Sequence, residues 1–176
     1  MLVKKFREEG VLFVGCLFSF KEIYDASLSV LKKDYGNIFL ETPSLPWSHS
    51  DYYFEEIGAP LYKCFIFFDT VIDTSVLPDA KLRIMEIEKD LSKDGKRQIN
   101  LDPGYLSLAK VVLASRKNYS HRIYLGKLVF AELELIFKES AFHSLPYTYT
   151  DYKAEESIKL FMKAREFLKK TIDSSE

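Results

Sequence analysis

The chain has 176 residues, 47% hydrophobic and 29% charged, with 25 basic against 26 acidic residues and a formal net charge of −1. This length suits one domain, residues 1–176, with a full core, and the apolar content excludes a disordered chain except at the ends. The near-neutral balance excludes a protein basic throughout, leaving nucleic acid as a partner only for a local patch.

In chain order, VLFVGCLFS (Val11–Ser19) is continuously apolar and predicts a central strand covered on both faces. It is far shorter than the roughly 20 residues of a membrane span, and the basic segment Met1–Arg7 leads into acids rather than a cleavage site. A soluble, cytoplasmic protein is expected. Cys16 and Cys64, each inside an apolar run, give neither a disulfide framework nor zinc spacing and read as small buried hydrophobes.

Ser19 and Glu22 have capping-box spacing ahead of a helix that buries Tyr24, Leu28 and Leu31 and stops at Gly36. NIFLE (Asn37–Glu41) is a short strand, and the loop TPSLPWSHSDYY after it forms either a lid or a packed crossing. LYKCFIFF (Leu61–Phe68) predicts a second inner strand. Pro78 opens a helix with Leu77, Ala80, Ile84, Ile87 and Leu91 on one stripe, ended by Gly95.

In NLDPGYL (Asn100–Leu106), proline presets φ at the second turn position and glycine accepts a positive φ at the third, so D-P-G-Y predicts a type II turn headed by Asp102. Asp102 is then either a turn residue bonding nearby amides or a working carboxylate. If QINLD is extended, Asn100 shares its face. LAKVVLAS, RIYL and VFAELELIF continue as a meander, with Gly126-Lys127 in a tight hairpin turn. In the last segment Val129, Ala131, Leu133, Leu135 and Phe137 alternate with Glu132 and Glu134, the period of a half-exposed strand. A final helix over Lys153–Ile172 buries Ala154, Ile158, Phe161, Ala164, Leu168 and Ile172, with Thr150 or Asp151 as its N-cap. The class is α+β: a βαββαβ, ferredoxin-like core extended by a β-meander and a C-terminal helix.

The commonest catalytic signatures are missing. Gly10 and Gly15 have P-loop spacing but Cys16 follows, and there is no G-x-G, G-x-S-x-G, H-E-x-x-H or C-x-x-C. Between Lys96 and Lys127 stand seven bases and one acid, Asp102. In that window Asn100, Asp102, Lys110, Arg116, His121 and Arg122 combine an amide, a carboxylate, an imidazole and cations able to bind and polarise a phosphate or carboxylate group. Asp102 and His121 are the candidate catalytic groups, and His49 and His143 are the other imidazoles. Tyr149 and Asp151, beside Tyr147, are candidates for a pocket wall, and Tyr53 and Glu56, beside Tyr52, for a lid. A divalent metal on Asp102, His121, Glu132 and Asp151 is an alternative whose spacing fits no metal pattern.

Two functions follow. One is a pocket for a small anionic or phosphate-bearing ligand, with hydrolase or transferase chemistry. The other is a non-enzymatic interaction module that meets RNA or an acidic protein through residues 96–127.

The segments SDYYFEEIG, NLDPGYLSLAKVVLAS, HRIYLGKLVFAELELIF and LPYTYTDY, in this order, resemble the bacterial domain-of-unknown-function family 4416 over nearly the whole chain. Tyr52, Tyr53, Glu56, Gly58, Asn100–Tyr105, His121–Leu125, Thr148, Tyr149, Asp151 and Tyr152 match its motifs. Ser50, Phe54, Ile57, Tyr147 and Thr150 depart from them, which takes Phe54 out of any acidic role. The resemblance implies no particular activity, but its polar motifs coincide with the clusters named above.

Overall fold

The first strand, β1 (Glu9–Phe18), alternates its side chains between two buried faces. Leu12, Val14, Cys16 and Phe18 pack against Leu31 of α1 (Lys21–Tyr35) and against Ile84 and Ile87 of α3 (Leu77–Asp90), whereas Val11 and Phe13 pack against Phe161, Ala164 and Leu168 of α5 (Glu155–Asp173). The computed structural model describes residues 7–48 and 51–174, so His49 and Ser50 lie outside the described residues. The remaining elements are β2 (Ile38–Glu41), β3 (Leu45–Pro46), α2 (Phe54–Ile57), β4 (Tyr62–Asp73), β5 (Ile99–Leu106), β6 (Lys110–Ser115), β7 (Arg122–Gly126), β8 (Val129–Lys138), β9 (Ala141–Ser144) and α4 (Thr150–Lys153).

The class is α+β. One antiparallel sheet runs in the order β2-β4-β1-β5-β6-β8-β7, with β3 on β4 and β9 on β8. Helices α1 and α3 cover one face and α5 the other. No helix among the described residues is long and apolar enough to cross a membrane.

Several local expectations are corrected. Phe20, not Ser19, is the N-cap of α1, no side chain caps it, and the Ser19 hydroxyl is buried without a partner. Gly36 does end α1, at φ 101°, where glycine is favoured. Helix α3 stops at Asp90, whereas Gly95 sits at φ 74° in a separate turn closed by Lys93 and Lys96. Ala154 is extended and exposed, so the last helix is divided into α4 and α5, and Tyr149 stands at the N-cap of α4. The hairpin after β7 turns through Lys127 and Leu128, both at positive φ, with Gly126 ending the strand.

The largest departure concerns D-P-G-Y, which does not turn. Strand β5 passes straight through it, with Asp102, Pro103 and Gly104 opposite Gly15, Val14 and Phe13 of β1. Pairing with β6 begins only at Gly104, opposite Leu113, so the proline, which has no N–H, precedes the point where β6 joins. A long ladder with a fully buried neighbour outweighs a four-residue turn preference. Gly104 serves close approach instead of a positive φ. A Cβ there would lie 2.3 Å from the Phe13 ring and 2.4 Å from the Val112 carbonyl oxygen. Because the second contact is backbone, Gly104→Ala is expected to destabilise by about 3 kcal/mol in urea unfolding.

On the N-terminal side of Gly104, β5 has no pairing with β6 and the two strands separate. The exposed edge of β5 is partly closed by α3, whose Glu88 accepts the Leu101 N–H at 2.6 Å. This split in the sheet positions the site.

Candidate functional site: a cationic cleft at the sheet split

A cleft of about 650 Å³ opens at the split. Its floor carries Asn100 and Asp102 from β5, Lys63 from β4, and Lys81 and Glu88 from α3. Arg116 and Lys117 after β6, Arg122 of β7 and Tyr149–Tyr152 form one wall, and Trp47, Tyr52 and Tyr53 another. Asn100 and Asp102 share a face because they are two apart on one strand.

Asp102 is the hub of the floor. Asn100 Nδ2 donates to it at 2.6 Å and Lys81 Nζ at 3.2 Å. Its side chain stays 29% open, toward the cleft, while that of Lys81 is only 9% open. Burial alone would push the Asp102 carboxyl up, but the ammonium charges of Lys81 and Lys63 and the two hydrogen bonds outweigh it and hold the group below the ordinary carboxylate range. Lys63 lies 3.3 Å from Asp151. Burial opposes its charge, yet Asp151 and Asp102 prevail and raise it above an ordinary lysine. Arg97 grips Glu56 with two hydrogen bonds of 2.8 Å and donates to Asn100 Oδ1 at 2.9 Å. Burial pushes Glu88 up to about 7.

A second network lies behind the wall. Arg122 Nε donates to Glu132 at 2.7 Å and its Nη2 to the Tyr149 hydroxyl at 3.1 Å. His121 Nε2 shares a 2.8 Å hydrogen bond with the other Glu132 oxygen, and its ring stacks on Tyr147 at 4.0 Å. Glu132 and Glu134, expected on a half-exposed strand, are buried at 2% and 0% exposure. Burial, reinforced by the Glu132 charge, pushes Glu134 up to about 8. One Glu134 oxygen accepts the Tyr149 N–H, while the other oxygen and the Tyr152 hydroxyl are buried without a partner.

Asn100, Asp102, Arg122, Tyr53, Tyr149 and Asp151 therefore line one space. Glu56 stands behind it, holding Arg97, and His121 stands behind Arg122 on Glu132 rather than on the cleft surface. Lys110 is elsewhere: it begins β6, while the cleft lies at the strand's other end, and its ammonium bonds Glu8 at 2.5 Å. His143 bonds the Lys138 carbonyl oxygen at 3.1 Å and takes no part. Among the described residues, no three His, Cys, Asp or Glu side chains are grouped to hold a metal ion, so Asp102, His121, Glu132 and Asp151 form no metal centre.

Lys63, Lys81, Glu88, Arg97 and Lys117 were missed as site residues. Two of them left a trace: Lys63 is the one charge in an apolar strand run, and Lys81 sits four residues after Leu77 on the buried stripe of α3.

No curated protein and no solved structure matches the chain. The family model described as "Domain of unknown function (DUF4416)" matches residues 8–167, nearly the full length, and the chain belongs to that family.

Proposed function

We propose that the cleft binds a small ligand carrying a phosphate or a similar anionic group, and that hydrolysis or group transfer takes place on it. One observation carries this reading: six cationic side chains (Lys63, Lys81, Arg97, Arg116, Lys117 and Arg122) line the cleft against three acids, Glu88, Asp102 and Asp151. Glu88, pushed up to about 7, is partly neutral at physiological pH, which adds to the positive excess. Arg116 donates to a backbone oxygen and Lys117 stands 5.8 Å over the Tyr52 ring, so both keep charge to offer an anion. Cations fixed in a partly closed cleft stabilise charge that develops on a transferring group. Glu88 is the acid suited to exchanging a proton near neutrality, whereas Asp102, held in its charged form, positions Lys63 and Lys81. His121 acts through Glu132, orienting Arg122.

The reading of residues 96–127 as a surface for RNA or an acidic protein draws on Tyr119 and Tyr124, 66% and 57% exposed. The basic window, however, does not form one surface: Lys110 pairs with Glu8 and Lys127 with Asp79. The order β2-β4-β1-β5, with α1 and α3 on one face, supports a ferredoxin-like core within the larger sheet. Two buried free thiols fit a cytoplasmic setting.

A thermal-shift screen of inorganic phosphate, pyrophosphate, nucleotides and sugar phosphates tests the proposal. A ligand at a hundred times its Kd stabilises the protein by about 2.7 kcal/mol, a shift of several degrees. With charge-assisted contacts worth about 1.5–3 kcal/mol each, Arg116→Ala/Lys117→Ala is expected to weaken binding at least tenfold. No stabilisation by any phosphate compound, together with RNA binding that weakens steeply with salt, would favour the interaction surface instead.

A further inference from the structure

The register of the two inner strands sets Cys16 of β1 directly opposite Cys64 of β4. Directly opposed residues in an antiparallel pair have Cα atoms about 4.5–5.5 Å apart, within the roughly 4.4–6.8 Å that a disulfide spans. Both thiols are free, and both face the α1 side of the sheet.

A hydrogen-bonded chain leads from this pair to the surface. The Cys64 thiol donates to the Tyr24 hydroxyl at 3.3 Å, and that hydroxyl donates to Glu41 Oε1 at 2.6 Å. Glu41 is exposed, and so is Ser44. A proton leaving Cys64 thus has a route to a solvated carboxylate although the sulfur is buried. The two thiols are unequal. Burial pushes Cys16 well up, whereas hydrogen bonding to the neighbouring Cys16 thiol, with help from Tyr24, brings Cys64 below an ordinary cysteine. Beside Cys64 the sheet is thinly bordered: β3, two residues long, pairs with Lys63 and Tyr62, and residues 43–46 are exposed. A molecule close to water in size needs only a small local opening there.

We propose that Cys16 and Cys64 form a peroxide-oxidised dithiol, with Cys64 the attacking sulfur and Cys16 the resolving one, closing a reversible disulfide between β1 and β4. Cys64 passes its proton through Tyr24 to Glu41, and its sulfur then displaces hydroxide from hydrogen peroxide to become a sulfenic acid. The Cys16 thiol attacks that sulfur, forming the S–S bond and releasing the oxygen as water. The two sulfurs together lose two electrons, one peroxide is reduced to two waters, and a thiol reductant such as glutathione reverses the step.

The test treats the purified full chain with hydrogen peroxide, removes the excess, alkylates under denaturing conditions and measures intact mass. The expected product takes up no alkyl group, is lighter than the reduced chain by two hydrogens, and yields a peptide linking Cys16 to Cys64. Cys16→Ser is expected to trap a dimedone-reactive sulfenic acid on Cys64, and Tyr24→Phe to slow disulfide closure by about tenfold or more, because the proton relay is broken. Two alkylated thiols after a peroxide dose that oxidises free glutathione would overturn the proposal, as would dimedone capture on Cys16 rather than Cys64. A Tyr24→Phe rate equal to wild type would remove the relay.

Discussion

Asp102→Asn is expected to lower the unfolding free energy by about 3 kcal/mol at pH 7, because it strips the counter-charge from buried cations. The side chains of Lys81 and Lys63 are 9% and 15% open, and Asp102 holds the first directly at 3.2 Å. Left unpaired, an ammonium in that setting is repelled by its low-polarity surroundings, and the asparagine cannot supply a negative charge. Lys81→Met added to Asp102→Asn should recover part of the loss, since it removes the stranded charge with it. The pH dependence has a definite sign. Asp102 is held below the ordinary carboxylate range, so its contribution is present above the unfolded-state value and is lost as pH falls through the lower folded-state value. Urea unfolding of both proteins should show the gap at neutral pH and its narrowing in acid. Equal stability at pH 7 would mean that Asp102 does not balance these lysines.

Glu134→Gln is expected to act in the opposite direction and at the opposite end of the pH scale. Glu134 is fully buried beside Glu132 and is pushed up from an ordinary carboxyl to about 8. A carboxyl raised in the folded state binds its proton more tightly there than in the unfolded chain. Its stabilising influence is complete below the unfolded value and is lost as pH rises through about 8. Wild type should therefore weaken between mildly acid and alkaline pH. Glutamine removes the charge while keeping an oxygen for the Tyr149 N–H. The variant should be more stable than wild type at alkaline pH by a few kcal/mol, on the order expected for a shift of several pH units. A residual slope is expected from Glu88, raised to about 7 for the same reason. Thermal unfolding across that range checks both statements, and a Glu134→Gln profile parallel to wild type would show that this carboxyl is not the titrating group.

The elements legible from sequence are those whose stability is local or one-sided. The apolar runs of β1 and β4 had to be inner strands, because so many aromatic and branched side chains have no favourable alternative to burial. The stripe of Leu77, Ala80, Ile84 and Ile87 had to be a helix face. The alternation in β8 marked a strand correctly but not its environment: Glu132 and Glu134 do alternate with apolar residues, and they point inward because Arg122, His121 and the Tyr149 amide meet them there. Of the site, Asn100, Asp102, Arg122, Tyr53, Tyr149 and Asp151 could be named in advance from residue type and clustering. Lys63 and Lys81 could not, since a lysine in a strand or on a helix stripe shows its role only through its partner.

By itself, then, the sequence determined the inner strands β1 and β4 and the helices α1 and α3, that the class is α+β, and which polar segments crowd together along the chain. Tertiary structure alone decided that D-P-G-Y runs straight, that two glutamates are buried, and that the basic window divides between a cleft and two outlying ion pairs. Periodicity and backbone preference act over a few residues, whereas these outcomes depend on partners such as β1 for β5, Lys63 and Lys81 for Asp102, and Glu8 for Lys110. The free energy of a buried charge or a turn is set by the groups that folding brings against it.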